Sequence, residues 1–417
     1  MCLAKERPVL LRLSRKTTII LVIVVVLISI KITLAATTPA SQPVVYYLQV
    51  QSFTRSPDSA NPWGRFNNVT LALWYSLPID HPDLEGFLTN NSLLLPAPFL
   101  ILLLLVKLPL IVADVLVAYL VFLLTKKIWP LSNRPIVASL LWLANPYSTF
   151  VTEMLGAIDI LPVACIMVGL FLVMRRNYVL GVFSFTAGIF LKLFPIVAIP
   201  AVLYSSLIAG CHRVKIVLSM FIALVGVGLY VQWSDFPYSS AYYTLSTVEF
   251  ILGTESPFGL GNAVQFIGLA TFFVIITYLL IYEFKPDLFT EPWIPVLISL
   301  LAYLTFLDFQ PENMLWVVPL MTIALFKEKR LVPLFVLLLG SAFLLAFFNA
   351  DGFTTMSGWT LLFFNRTSPW ADSLLGNELI DLVLRPLLRS LLAAFTILSI
   401  ICLAGSGGLS SQRKTPS

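Results

Sequence analysis

From Thr17 to Ala36 the chain runs through a mainly apolar stretch of about twenty residues, the length an α-helix needs to cross the hydrocarbon core of a bilayer. Five basic residues, Lys5, Arg7, Arg12, Arg15 and Lys16, precede it. A cleaved secretory signal has a shorter apolar region, about 7–15 residues, so the run reads as an uncleaved first helix.

The pattern repeats. Apolar stretches start near residues 17, 98, 136, 157, 179, 194, 216, 263, 293, 314, 331 and 386, some interrupted by Pro109, Pro195, Pro200 and Pro319. The span 179–208 reads either as one kinked helix or as two short ones. Only 11% of the 417 residues are charged and 59% are hydrophobic. A soluble domain carries about 25% charge, so lipid has to cover this surface. The predicted fold is an all-α membrane bundle of about twelve transmembrane helices, forming a single domain over 1–417.

Basic residues set the orientation. With the N-terminus in the cytoplasm, the inner side receives most of the 26 lysines and arginines, including Lys126, Lys127, Arg134, Arg175, Arg176, Arg213, Lys215, Lys285, Lys327, Lys329, Arg330, Arg413 and Lys414. Outer segments keep Arg55, Arg65 and Arg366. Lys31, Lys107, Lys192 and Arg389 lie within or at the ends of helices. Both termini are therefore expected inside. The N-x-S/T sequons at Asn68, Asn90 and Asn365 all fall in expected outer loops. Three outer loops are large, at 37–96, 234–262 and 350–380, and the inner loops are short. The asymmetry points to work on the outer face. No internal repeat is visible, and paired repeats are a mark of many transporters.

The net charge of +5 sits between apolar segments, where topology accounts for it, and does not suggest nucleic acid. The four cysteines form no CxxC, and His81 and His212 are the only histidines, so no metal-ligand cluster is apparent.

Ionisable groups in apolar surroundings are costly and mark functional candidates. Lys107 and Asp114 are seven residues apart, about two turns, on one face of a helix and about 10 Å from each other; they are either substrate-binding or an internal structural pair. Asn145-Pro146-Tyr147, then Glu153, Gly156 and Asp159, mark an outer junction where carboxylates could hold a sugar, a cation or a catalytic proton, or simply cap a helix. Lys192 precedes Pro195 and could reach a phosphate or snorkel. Arg385 and Arg389 share a helix face and could clamp a phosphate. Asp308, Gln310, Glu312 and Asn313 form a polar patch before Trp316, which reads as part of the aromatic belt.

Taken in order, Lys107-Leu-Pro with Asp114, Leu-Ala-Asn145-Pro146, Gly156-Ala-Ile-Asp159, Gly188-Ile-Phe-Leu-Lys192-Leu-Phe-Pro195 and Leu315-Trp316-Val-Val-Pro319 resemble the GT-C superfamily of multi-pass glycosyltransferases. The resemblance covers about half the chain and is nearest to the branch containing the first mannosyltransferase of GPI-anchor synthesis and related archaeal and bacterial transferases. It implies transfer of a hexose, with mannose the sugar of that branch, from a polyprenyl-phosphate donor to a glycan or glycolipid acceptor on the outer or lumenal face. It implies the plasma membrane in a microbe and the ER membrane in a eukaryote.

The family usually carries an acid soon after the first helix. Here Ala35 to Tyr47 contains none, and the first cluster is Asp80, Asp83 and Glu85. The resemblance therefore places the base at Asp83 or Asp80, with Glu153 and Asp159 next. It places Lys107, Lys192, Arg385 and Arg389 at the leaving phosphate, and Asp114, Asn145, Glu312 and Asn313 at the substrate. Many such enzymes use a divalent metal, Mg or Mn; this sequence neither requires nor excludes one. Two other readings stay open: a non-catalytic lipid-binding subunit of a glycan or GPI-type complex, and a secondary transporter or flippase.

Overall fold

The computed structural model describes residues 15–38, 97–192, 194–208, scattered positions within 214–225, and residues 290–306, 311–348 and 384–406. The first large loop from residue 39 on, with Asp80 and Asp83, the loops at 234–262 and 350–380, and the stretch starting near 263 lie outside the described residues.

The described residues are mostly helical, with no strand among them. The first two helices are α1 (Arg15–Thr37) and α2 (Ala97–Ile128). The next are α3 (Arg134–Leu143) and the single turn α4 (Pro146–Thr149), which runs into a π-helical turn at Phe150–Met154. Helices α5 (Ile160–Met174) and α6 (Tyr178–Leu191) are followed by a 3-10 turn at Phe194–Ala198 and by α7 (Ile199–Ile208). Then come α8 (Trp293–Phe306), a 3-10 turn at Pro311–Trp316, α9 (Val318–Ala324), α10 (Leu331–Phe348) and α11 (Arg385–Ser406).

Three stretches are long and apolar enough to cross a membrane: Lys16–Thr37, Lys107–Ile128 and Pro386–Gly405. They mark the chain as a membrane protein. Large apolar side chains face outward along them, among them Val22 on α1, Val112 on α2 and Ile401 on α11, each more than half exposed. In water such a surface would be strongly unfavourable; against lipid it is neutral.

Two expectations change. Pro109 does not interrupt its helix: α2 continues through it for 32 residues, about 48 Å. A proline inside a membrane helix is tolerated where neighbours satisfy the carbonyl it frees. The stretch expected to begin a span near 314 is instead a 3-10 turn followed by the seven-residue α9, too short to cross. Pro319 opens α9, where its missing N–H is harmless. The 179–208 span resolves into α6 and α7 around the Pro195 turn.

Contacts between distant segments define one end of the bundle. The Arg134 guanidinium stacks over Trp129 and donates to the Phe326 carbonyl, Lys327 pairs with Glu291 at 2.8 Å, and Trp293 donates to Glu291. Lys126, Lys127, Arg175 and Arg176 lie at this same end by the alternation of the helices. We refer to it as the basic end. Helices α5 and α6 pack so closely that a Cβ on Gly169 would lie 2.6 Å from the Phe185 ring and 3.0 Å from the Gly181 carbonyl. Small residues at a helix crossing permit this approach.

Candidate functional site

At the opposite end the chain must turn from α3 back into α5, and it does so in three steps. Asn145 caps α4: its side-chain oxygen accepts from the backbone N–H of Tyr147 at 2.9 Å and of Ser148 at 3.4 Å, with Pro146 at the first helical position. The widened π turn follows, closed by the Leu155 N–H donating to the Phe150 carbonyl at 2.8 Å. Gly156 then adopts φ 73°, a left-handed conformation that side chains rarely tolerate, and ends the turn. The result places Glu153 and Asp159 in two separate clusters.

The first cluster is fully buried. The Lys31 ammonium, on α1, lies 3.0 Å from an Asp114 carboxylate oxygen on α2 and 3.2 Å from Glu153. The Asp114 contact is an ion pair without hydrogen-bond alignment, and both Asp114 carboxylate oxygens and Glu153 Oε1 have no hydrogen-bond partner among the described residues. Lys107 does not pair with Asp114. Its ammonium donates to the backbone carbonyls of Thr38 at 2.9 Å, Glu153 at 2.7 Å and Met154 at 3.2 Å. Trp142 donates to the Asp114 carbonyl at 3.2 Å and ties α3 to α2. Two lysines and two acids balance in charge, as burial in an apolar bundle demands.

The second cluster reaches the surface. Asp159 starts α5 but makes no capping bond with its side chain. Its carboxylate instead lies 2.9 Å from the Lys192 ammonium and accepts from the Trp316 indole N–H at 2.7 Å. Glu312 approaches Lys192 at 3.6 Å. The Lys192 side chain is 30% exposed, whereas Asp159 and Glu312 are buried. Trp316 is held flat against Phe194, with ring centres 4.0 Å apart and planes at 7°, and Tyr303 stacks further off at 6.0 Å. Lys192 also sits over the Trp316 ring. Burial, and then the negative charge of Glu312, hold the Tyr147 phenol well above the ordinary tyrosine range, so it stays protonated.

The structure thus brings together Asp159, Lys192 and Glu312, and separately Lys107, Asp114 and Glu153. Asn145 serves the α4 cap, Asn313 is buried beside Glu312, and Arg389 lies exposed on α11. The side chain of Arg385 is outside the described set. Sequence reading missed Lys31, whose signal was available as the lone charge in the first apolar run. It also assigned Trp316 to the aromatic belt, whereas the indole N–H holds a carboxylate.

The second cluster combines an accessible ammonium, two carboxylates and an aromatic stack. Such a set can neutralise a phosphate oxygen, accept hydrogen bonds from hydroxyls and hold a proton. As a divalent-metal site it fits poorly. Asp159 and Glu312 converge on Lys192, which already supplies the positive charge, and no group of three or more His, Cys, Asp or Glu side chains gathers among the described residues. No protein-family model matches the chain, and no curated protein shows significant similarity to it.

Proposed function

We propose that the chain is a multi-pass glycosyltransferase that moves a hexose, with mannose the sugar its resemblance points to, from a polyprenyl-phosphate donor to an acceptor at the face opposite the basic end. In this reading the bundle crosses the membrane about twelve times, with both termini on the cytoplasmic side and the working face outside or in the lumen. The observation that carries the reading is Lys192, partly exposed at that end and held between the buried carboxylates of Asp159 and Glu312 beside Trp316.

The chemistry asks little more. The acceptor hydroxyl attacks the anomeric carbon, the bond from that carbon to the phosphate oxygen breaks, and polyprenyl phosphate departs with the bonding pair. Lys192 stabilises the charge developing on that oxygen, the kind of fixed electrostatic help that is often the largest catalytic contribution. The hydroxyl proton passes to a carboxylate. Asp80 and Asp83 are the leading candidates. The Asp159 carboxylate already accepts from an indole and an ammonium, an arrangement that suits it to hold Lys192 in place.

A second reading has its own observation. Asp114, Glu153, Asp159 and Glu312 are each matched to a lysine, and the stretch after the first helix lacks an early acid. A non-catalytic subunit that binds lipid-linked phosphate would need nothing further.

The deciding assay supplies purified protein in detergent with polyprenyl-phosphate mannose or glucose, comparing wild type with Asp80→Asn, Asp83→Asn and Asp159→Asn. Turnover in wild type that vanishes in Asp80→Asn or Asp83→Asn, with melting unchanged, supports the transferase and identifies its base. Absence of turnover with either donor, together with measurable binding of polyprenyl phosphate, favours the non-catalytic reading.

A further inference from the structure

Lys107 has three N–H groups and three acceptors, all of them backbone carbonyls. Two of these carbonyls, at Glu153 and Met154, end the π turn. The backbone N–H that follows, at Ala157, bonds instead to Val151, so the turn leaves those oxygens without helical partners. The third, at Thr38, lies just beyond the end of α1. The side chain of Lys107 is fully buried, and the pocket around its nitrogen is a cage of oxygens of the kind that holds a small cation.

We infer that Lys107 is a tethered cation: its ammonium fills a carbonyl cage built by Thr38, Glu153 and Met154, and so positions the turn that delivers Asp159 to Lys192 and Trp316. It is a positioning residue. Its consequence reaches both sides of the cage. One side is the start of the loop that holds Asp80 and Asp83. The other, through Gly156, is the first residue of the exposed cluster. An uncharged side chain of the same length would leave three buried carbonyls unpaired.

The geometry specifies a ligand for the emptied cage. Truncation to alanine removes three carbons and the nitrogen, which is the outline of n-propylammonium. The probe must be positively charged, must carry N–H donors and must be slim enough to enter.

The test uses the full chain in phosphatidylcholine nanodiscs. Lys107→Ala should melt roughly 10 °C below wild type. Adding n-propylammonium should recover at least half of that loss and leave wild type unmoved. Tetramethylammonium, which is charged but has no N–H, should recover nothing. Lys107→Met, whose side chain fills the space, should be destabilised and unresponsive to either ion. The fluorescence contributed by Trp316, obtained by difference from the same variants carrying Trp316→Phe, should shift in Lys107→Ala and return with n-propylammonium. That last readout separates positioning of the turn from bulk stability.

Equal recovery by tetramethylammonium, or recovery of Lys107→Met, overturns the assignment, as does a Lys107→Ala protein that melts with wild type. Should Lys107→Ala not accumulate, the comparison of Lys107→Arg with Lys107→Met decides: arginine retained and methionine lost supports the cage, and methionine melting with wild type sinks it. None of these readouts uses turnover, so their failure and the failure of the transferase reading are separate results.

Discussion

Lys31 and Asp114 form an ion pair of 3.0 Å between the first two helices, and Lys31 is the only charged side chain between Thr17 and Thr37. Most of α1 presents its apolar residues outward, and this pair with the adjoining contact to Glu153 ties the middle of α1 to the bundle through buried charges.

Replacing Lys31 by methionine should therefore destabilise the protein by about 3–5 kcal/mol, because two buried carboxylates lose their counter-ion. Thermal unfolding in detergent measures it. Adding Asp114→Asn to Lys31→Met should recover part of the loss. Ile30→Ala, one residue away and half exposed, should change little. An undiminished Lys31→Met protein would show that the pair does not secure α1.

Trp316→Phe keeps a ring against Phe194 but removes the N–H that Asp159 accepts at 2.7 Å. A hydrogen bond to a charged group contributes about 1.5–3 kcal/mol, so kcat/KM in the proposed transfer should fall roughly ten- to a hundredfold. Trp316→Leu should lose the same bond and the stacked ring, and melt at a lower temperature than the phenylalanine variant.

At Lys192 the charge and the shape can be separated. Lys192→Gln leaves Asp159 and Glu312 facing each other without a cation, and binding of polyprenyl phosphate should weaken about tenfold or more. Lys192→Gln combined with Glu312→Gln should regain thermal stability without regaining that affinity. Isothermal titration and melting curves on the same preparations check both halves.

Gly169→Ala tests the closest helix crossing. The added carbon would meet the Phe185 ring at 2.6 Å and the Gly181 carbonyl at 3.0 Å. The ring can move and the carbonyl cannot, so shrinking Phe185 should relieve only part of an expected loss of about 1–3 kcal/mol. Full rescue by Phe185→Leu would place the clash on the ring alone.

Orientation is open to direct labelling. In a background with all four native cysteines replaced by serine, Arg330→Cys, at an exposed position of the basic end, should react with an impermeant maleimide only after permeabilisation. Glycosylation at the Asn68 sequon in microsomes should report the other side. Labelling of Arg330→Cys in intact cells would invert the proposed topology.

The helices were legible in the sequence where apolar runs were long. Helices α1, α2, α5, α6, α8, α10 and α11 begin within about four residues of where hydropathy places them. The turns were not. Hydropathy has no signal for a π turn, and Pro109 looks the same whether its helix breaks or continues. The site was half legible. Asp159, Lys192 and Glu312 stand out as rare charges, but their convergence depends on segments far apart in the chain; Trp316 and Asp159 are 157 residues apart. Helices that are apolar on every side carry no periodic pattern to say which face meets which neighbour. Lys31 could have been singled out by its isolation, though its partners could not.

The length of α2 acts as a ruler. Lys126 to Lys107 is nineteen residues, about 28 Å of helix, close to the thickness of the hydrocarbon layer. With Lys126 at one headgroup plane, Lys107 and the carbonyls it holds fall at the other, and Asp114 lies about 10 Å deeper. A lipid carrier whose tail lay among the helices would present its phosphate at the level of Lys107, so a water-soluble acceptor and a lipid-borne donor would meet without either having to leave its own phase.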